Sequence, residues 1–307
     1  NDITVIDGKE VVVWTQDKDG DLRQTSSATS LKCAEYENGE WKTDTLLENQ
    51  KAIDGISAIN NNGVLSIYYS QDTDGDIATI DDKEIFVYTD NKVKRITNND
   101  VADTKPVVVG NTVYWYADSQ IAYAQVGSDR ADGYINADCL SDKFYVSESG
   151  QYIIYRKDNE AGKQSVYVLC NVDGIWGTPK ELLSSDKYIL GFALSETAEG
   201  IVILSNEVNT DGYIPEKASL DIYEIKQFGD LKIENLMYDE YSMNGEQLHL
   251  IGDLVNDGIE SVNGLRAEFY NNDGALICEQ KLALKILPGE TVSHIFVIPA
   301  SNSDSIT

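Results

Sequence analysis

The chain has 307 residues, and its 52 acidic and 24 basic side chains give a formal net charge of −28 at pH 7. Hydrophobic residues make up 42% of the sequence, which is enough for a sizeable core, so the acidity belongs to a folded surface and not to a disordered tail. Binding to phosphates requires clustered Lys and Arg, so nucleic acids and anionic lipid surfaces are disfavoured as partners, and no apolar run approaches the ~18 residues of a membrane span.

The chain opens with Asn1 and has no initiating Met or leader, so we expect a processed or shortened piece of a longer product. Five segments then repeat one pattern of strands. Their second strands read EVVVWTQD, VLSIYYSQD, TVYWYADS, QYIIYRKD and GIVILSNE, which align Trp14, Tyr69, Tyr116, Tyr155 and Leu204 in one column. The mean spacing of this column is about 47.5 residues, near the ~40–50-residue period of propeller repeats. We expect the column to pack between repeats.

The third strands alternate with the period of two that is typical of β-structure. They read SLKCAEYEN, KEIFVYTD, SQIAYAQV, QSVYVLCN and SLDIYEIK. Fourth strands are predicted at EWKTDTLL, KVKRIT and IWGTPKELL, after hairpin turns at Asn38-Gly39, Asp90-Asn91 and Asp173-Gly174. Trp41 and Trp176 lie in or near outer strands, where we expect exposure.

This pattern predicts an all-β fold, a β-propeller of about five four-stranded blades over residues 1–228. Either the five blades close on themselves, or further blades precede residue 1 in the parent protein. The strand, Asp-Gly turn, strand pattern of YYSQDTDGD with EIFVYT, and of VVVWTQDKDGD, resembles TolB-like and dipeptidyl-peptidase-type propellers. The resemblance covers residues 1–228. It implies the architecture and carries no functional residue with it.

Carboxylates are concentrated between the second and third strands of the second repeat. Five of them lie within eleven residues, at Asp72, Asp74, Asp76, Asp81 and Asp82. Such a cluster is self-repelling unless a cation lies within it, and calcium takes six to eight oxygens in a flexible geometry. The sequence therefore predicts calcium as a cofactor here, with a solvated acidic turn as the alternative. Asp17, Asp19 and Asp21 in the first repeat form a weaker version that lacks a closing acid.

From Asp230 the repeat ends and a different β pattern begins. An opening strand from Asp230 to Ile233, a turn from Val255 to Gly258, a hairpin from Phe269 to Gly274 and a turn from Leu287 to Glu290 follow in order. This order resembles the CARDB-like immunoglobulin-type domains of bacterial surface proteins. The resemblance implies an immunoglobulin-like sandwich over residues 229–307, acting as an adhesive or spacer unit of a secreted or cell-surface protein. Antibody domains also carry a core disulfide, which Cys278 alone cannot form.

The four cysteines are too few for a disulfide framework, and buried thiols are the simplest interpretation. A Cys139–Cys170 bridge is the alternative, because both cysteines fall in one repeat. The only histidines, His249 and His294, lie in the C-terminal segment, where we expect ordinary sandwich positions, so a Ser-His-Asp or Cys-His mechanism in the repeats is excluded. Paired carboxylates leave glycoside hydrolysis open.

These observations predict a non-enzymatic, secreted or surface-attached binding or adhesion protein. We expect a monomer whose repeats recognise a protein or a carbohydrate. A propeller glycoside hydrolase and a purely structural surface module are the alternatives.

Overall fold

The computed structural model describes residues 2–18, 29–75, 79, 82–137, 143–158, 164–172, 174–185, 188–194, 200–208, 215–224, 231–238, 247–258, 260–271 and 273–299. The chain divides into two compact units, residues 1–150 and 151–307. The boundary predicted at residues 228 and 229 stays a prediction. Every regular element of the described residues is a β-strand, so the predicted all-β class is confirmed.

The first unit contains thirteen described strands. They are β1 (Asp2–Ile6), β2 (Lys9–Asp17), β3 (Thr29–Glu37), β4 (Glu40–Gln50), β5 (Ile53–Asn61), β6 (Val64–Gln71), β7 (Glu84–Thr89), β8 (Lys92–Arg95), β9 (Asp103–Val109), β10 (Thr112–Ala117), β11 (Gln120–Gln125), β12 (Gly133–Ile135) and β13 (Phe144–Val146). The first twelve form three antiparallel sheets of four consecutive strands, β1 to β4, β5 to β8 and β9 to β12.

Tight turns connect these strands where the sequence predicts them. Asn38 and Gly39 have φ of 53° and 87°, and Asp90 and Asn91 have φ of 50° and 55°. Positive φ at both central positions produces the twist that a two-residue hairpin needs, and Asn, Asp and Gly tolerate it. These two predicted hairpins are therefore confirmed. The third, at Asp173-Gly174, stays a prediction because Asp173 lies outside the described residues.

The three sheets pack face to face within the first unit. One apolar cluster joins Val13 and Leu31 of the first sheet to Ile67 and Tyr69 of the second. Another joins the second sheet to the third around Trp115. The second sheet is thus covered on both faces, which explains why consecutive residues of β6 from Ser66 to Gln71 are all buried. Consecutive four-stranded sheets stacked in this way are the blades of a β-propeller.

The first strands of the three blades lie side by side, β1 next to β5 and β5 next to β9. Asp2 Oδ2 accepts hydrogen bonds from Ala58 N at 2.7 Å and from Ser57 Oγ at 3.2 Å. Ser57 Oγ in turn accepts one from Val108 N at 3.0 Å. A chain of polar contacts therefore connects the three first strands.

The second unit contains twelve described strands. They are β14 (Tyr152–Asp158), β15 (Gln164–Val172), β16 (Ile175–Trp176), β17 (Lys180–Ser185), β18 (Tyr188–Leu194), β19 (Gly200–Val208), β20 (Pro215–Glu224), β21 (Leu231–Tyr238), β22 (Gln247–Asn256), β23 (Val262–Tyr270), β24 (Leu276–Ile286) and β25 (Thr291–Pro299). Strand β15 pairs with β14, β16 and β17, and β18, β19 and β20 form a three-stranded sheet. The strands predicted from the repeat are present, except that the segment IWGTPKELL is divided between β16 and β17. The number of blades stays a prediction.

The last five strands form two sheets, β21-β22-β25 and β23-β24. Their facing sides share one apolar core, in which Leu250 and Phe296 of the first sheet meet Leu282 and Ile286 of the second. Buried Asn256 holds the loops at one end, where its Nδ2 donates to Glu260 O at 2.7 Å and to Ile286 O at 3.0 Å. The immunoglobulin-like assignment of this segment stays a prediction.

The predicted aromatic column is buried in part. Tyr69 and Tyr155 are fully buried, Trp14 and Tyr116 are half-buried, and the side chain of Leu204 lies outside the described residues. Trp41 is exposed and packs its ring 5.2 Å from that of Tyr36, whereas Trp176 is only half-exposed.

Two of the cysteines, Cys33 and Cys170, are buried, and Cys278 is half-buried. Burial raises the pKa of the Cys33 thiol and raises that of Cys170 to about 12. Cys139 lies outside the described residues, so the alternative Cys139–Cys170 bridge stays a prediction.

Candidate metal centre

The acidic segment of the second blade connects β6 to β7, and we call residues 72–82 the Asp72 loop. Asp72 directly follows β6, and its backbone N donates to Ala52 O at 3.0 Å. Its side chain then turns the chain, because Asp72 Oδ1 accepts a hydrogen bond from Gly75 N at 2.5 Å. Gly75 has a φ of 90°, a conformation that strongly favours glycine. The local sequence Asp-Thr-Asp-Gly therefore folds back on the end of the strand.

The far end of the loop closes on this turn. Asp82 Oδ2 accepts hydrogen bonds from Asp74 N at 2.9 Å and from Thr73 N at 3.1 Å. Thr73 Oγ1 donates to Asp82 O at 2.8 Å. Ligand oxygens of Asp72, Asp74 and Asp82 consequently lie within 4.8 Å of one another. Two oxygens bound to one calcium ion at ~2.3–2.6 Å are separated by no more than about 5 Å, so the three carboxylates have the spacing of a shared ion.

Two carboxylate oxygens in this cluster have no hydrogen-bond partner among the described residues. They are Asp72 Oδ2 and Asp82 Oδ1, and both atoms are buried. The Asp72 side chain is only 1% exposed. A buried charged group without a partner costs more than the ~1–3 kcal/mol of a neutral one, and a bound cation removes that cost. The donor set consists of hard anionic oxygens, which is the chemistry that calcium selects.

The negative charge of the Asp72 loop favours the binding of a cation. Burial alone would raise the pKa of Asp82, but the backbone N–H groups of Asp74 and Thr73 hold it below the usual value, so this carboxylate is ionised at neutral pH. Lys51 Nζ donates to the backbone oxygen of Thr73. The ammonium group of Lys51 thus lies on the same turn that brings the carboxylates together.

Most of the other predicted ligands lie outside the described residues. Asp76 and Asp81 lie outside the described residues, so their part in the cluster stays a prediction. Of the weaker set in the first blade, Asp17 ends β2, and Asp19 and Asp21 lie outside the described residues. The first-repeat site therefore also stays a prediction.

The structure has a pocket beside the Asp72 loop that the sequence did not predict. We call it the side pocket, and its volume is about 370 Å³. Its lining is polar, with two cationic side chains and one aromatic ring, and consists of Asn49, Gln50, Lys51, Gln71, Asp72, Thr73, Phe86 and Arg95. These residues come from four separate stretches of chain, so no local sequence motif predicts the pocket.

A second carboxylate cluster, also unpredicted, lies in the same blade and the next. Asp103 is fully buried and accepts hydrogen bonds from Trp115 Nε1 and Asn99 Nδ2, each at 2.8 Å. Burial raises the pKa of Asp103 to about 6. Glu84 is 1% exposed and pairs with Arg95 Nη2 at 2.8 Å. Both carboxylates are buried, and their hydrogen bonds hold the neighbouring side chains in place.

The two histidines belong to the last five strands. His294 on β25 packs its ring 4.9 Å from that of Phe296, and His249 lies half-buried on β22. They occupy ordinary sheet positions, which agrees with the sequence-based interpretation.

Comparison with known proteins gives a resemblance in fold alone. No family model and no curated protein matches the sequence. TolB from Acinetobacter baumannii is similar in structure with a TM-score of 0.47 and 16% identity over 73% of this chain and 51% of that one. Hydrazine synthase from Kuenenia stuttgartiensis has a TM-score of 0.46 and 10% identity over 83% of this chain and 76% of that one.

Trypanosoma rangeli sialidase in complex with sialic acid has a TM-score of 0.41 and 14% identity over 82% of this chain and 51% of that one. The chain spans about half the length of TolB and of the sialidase. Every one of these TM-scores is below 0.5, so the fold described above depends on its own strand pairing. Within the described residues, no helix is long and apolar enough to cross a membrane.

Proposed function

We propose that this protein is a calcium-binding β-propeller module that recognises a protein or carbohydrate outside the cell or at its surface, without catalysing a reaction. The observation that carries the calcium assignment is the pair of partnerless buried oxygens, Asp72 Oδ2 and Asp82 Oδ1, within a cluster of three carboxylates. Calcium sites of extracellular modules bind at ~0.1–1 mM, a range in which a partly exposed loop is sufficient. The net charge of −28 supports a partner that is not a polyanion.

We also propose that the last five strands form an immunoglobulin-like, CARDB-like spacer. Its support is the shared core between β21-β22-β25 and β23-β24 together with the order of the sequence motifs. Cys278 is a free, half-buried thiol, so the proposed spacer departs from antibody domains in lacking their core disulfide.

A binding role is favoured over glycoside hydrolysis by the burial of the acids. A glycosidase needs one carboxyl group with a raised pKa beside the substrate. In the described residues the carboxyl group with a raised pKa is Asp103, which is 0% exposed and cannot reach a sugar. The hydrolase and the purely structural module remain the alternatives. Release of reducing sugar from polysaccharides would support the hydrolase, and glycan and protein binding screens that find no ligand would support the structural module.

The calcium proposal is tested by the Asp74→Ala substitution. Asp74 contributes an oxygen to the cluster and is more exposed than Asp72, so its removal weakens the ion site without opening the core. Calorimetry should detect calcium binding to the wild type and a loss of at least about tenfold in affinity in the variant, equivalent to ~1.4 kcal/mol. At tenfold excess over Kd, calcium should stabilise the wild type by about 1.4 kcal/mol.

Asp100→Ala is the matched control, because Asp100 is an exposed carboxylate in the same unit and outside the cluster. Equal calcium affinity in the wild type and in Asp74→Ala, or equal losses in both variants, would reject the site. A magnesium titration separates calcium from a general cation effect, since magnesium sheds its waters reluctantly.

A further inference from the structure

Two cationic side chains, those of Lys51 and Arg95, line the side pocket of a protein whose net charge is −28. Arg95 is fixed in the wall of the pocket, because its Nη2 donates to Glu84 at 2.8 Å and its Nε donates to Thr97 O at 2.7 Å. Its Nη1 makes no hydrogen bond to a described residue. Lys51 uses one of its three donors on Thr73 O. The pocket therefore retains cationic donors for an anionic group.

Neutral amides occupy much of the remaining lining. The Nε2 groups of Gln50 and Gln71 each donate one hydrogen bond within the protein, to Glu48 O and Lys51 O, which leaves a second N–H and the amide oxygen of each side chain. Together with Asn49 these amides offer donors and acceptors, which suits hydroxyl groups that also do both. A volume of about 370 Å³ is at the lower end of the ~300–1,000 Å³ of small-molecule sites, which is room for one or two sugar rings.

The aromatic ring of the pocket already packs against other side chains of the protein. The ring of Phe86 stacks on Tyr69 with centroids 5.8 Å apart, and the guanidinium of Arg95 lies 5.9 Å from its centroid. Peptide ligands are typically anchored by a buried apolar or aromatic contact, and Phe86, which is already half-buried, is the one apolar side chain in the lining of the pocket. The lining thus favours a small hydrophilic acid over an acidic peptide.

One anionic group opposes such a ligand. Asp72 lines the side pocket and also belongs to the carboxylate cluster of the Asp72 loop. In the absence of a metal ion, the negative charge of Asp72 repels a carboxylate in the pocket. A bound calcium ion neutralises most of the charge of the three carboxylates and so weakens this repulsion.

We propose that the side pocket binds the carboxylate of a polyhydroxy acid of the sugar-acid class, free or as a residue of a polysaccharide, and that calcium at the Asp72 loop promotes this binding. Lys51 and Arg95 hold the carboxylate, and the amides of Asn49, Gln50 and Gln71 hold the hydroxyl groups. This inference rests on the proposed calcium site and adds to it a ligand class and a coupling.

The test is titration of the full chain with D-glucuronate, followed by calorimetry or ligand-observed NMR, in calcium-saturated buffer and in chelator. Affinity should be at least about tenfold higher with calcium, within the usual range of coupling between sites. D-glucose, which lacks the carboxylate, should bind at least about tenfold more weakly than glucuronate. A tetragalacturonide that binds more tightly than the monomer identifies a polymer as the source of the acid, and equal affinity identifies the free acid.

Lys51→Gln separates this inference from the calcium proposal. The variant should bind glucuronate about tenfold more weakly, while its calcium affinity is kept or raised because a competing cation has been removed. Lys92→Gln makes the same change of charge at an exposed position outside the pocket, and its affinities should match those of the wild type.

Calcium binding without calcium-dependent glucuronate binding would overturn this inference and leave the calcium site standing. Absence of calcium binding itself would overturn both. Tighter binding of N-acetylglutamate amide than of glucuronate would also overturn it, in favour of an acidic peptide.

Discussion

At the scale of single residues, burial decides what each carboxylate does. Asp72 and Asp103 are similarly buried, but their partners differ. Asp103 receives hydrogen bonds from Trp115 and Asn99, whereas Asp72 keeps one oxygen without a partner among the described residues. The sequence singles out Asp72 by its acidic neighbours and gives no comparable signal for Asp103, whose environment is made by residues of two blades.

Asp103 gives the folded state a defined pH dependence. Its pKa is about 6 when folded against 3.8 unperturbed, so the folded state holds the proton more tightly. The stability contributed by this group is present in full below pH ~4 and is lost as the pH rises through ~6. Asp103→Asn has no proton to lose at this position. Between pH 4 and pH 7 its free energy of unfolding should therefore rise, relative to that of the wild type, by up to about 3 kcal/mol.

Urea unfolding at several pH values measures this difference. Asp100→Asn, at an exposed position three residues away, is the control and should show a difference from wild type that does not change with pH. A constant difference for Asp103→Asn as well would contradict the raised pKa.

At the scale of elements, the first strands of the second and third blades carry irregularities that contact each other. The pairing of β5 with β6 shifts register at Gly55, and that of β9 with β10 shifts at Lys105 and Pro106. Gly55 and Lys105 both have positive φ, and a Cβ on Gly55 would lie 3.0 Å from Lys105 Cα. The bulges therefore allow two first strands to approach closely.

Gly55→Ala should destabilise the protein by about 2–3 kcal/mol, because it combines the penalty of positive φ with a backbone clash. Gly39→Ala is the matched control, because Gly39 has a φ of 87° and a Cβ at this position would have no atom within 4 Å. The control should cost only about 1 kcal/mol, the conformational penalty alone. Denaturant unfolding measures both values, and equal costs would show that the close approach contributes nothing.

At the scale of the whole molecule, the net charge of −28 sets how the folded chain responds to salt. Surplus carboxylates repel one another more strongly in the compact state than in the unfolded chain. The Debye length falls from about 30 Å at 0.01 M salt to about 8 Å at 0.15 M, so salt screens this repulsion.

The melting temperature should therefore rise with NaCl at pH 7. The same series near the pI of about 4.2 should show a smaller rise, because little net charge remains to be screened. An unchanged or falling melting temperature at pH 7 would contradict the electrostatic interpretation. Calcium at matched ionic strength should add a further increase that Asp74→Ala loses.

The sequence by itself determined the strands, the hairpin turns and the acidic segment of the second blade. These features are local, since alternation with period two and residues that tolerate positive φ act over a few positions, as at Asn38-Gly39 and Asp90-Asn91. Only the tertiary structure decided which carboxylates share a centre and what lies beside them. Asp82 reaches Asp74 by loop closure, and Lys51 and Arg95 reach the side pocket from other turns and strands. Such contacts depend on strand register and on the packing of neighbouring strands, which no short pattern of residues encodes.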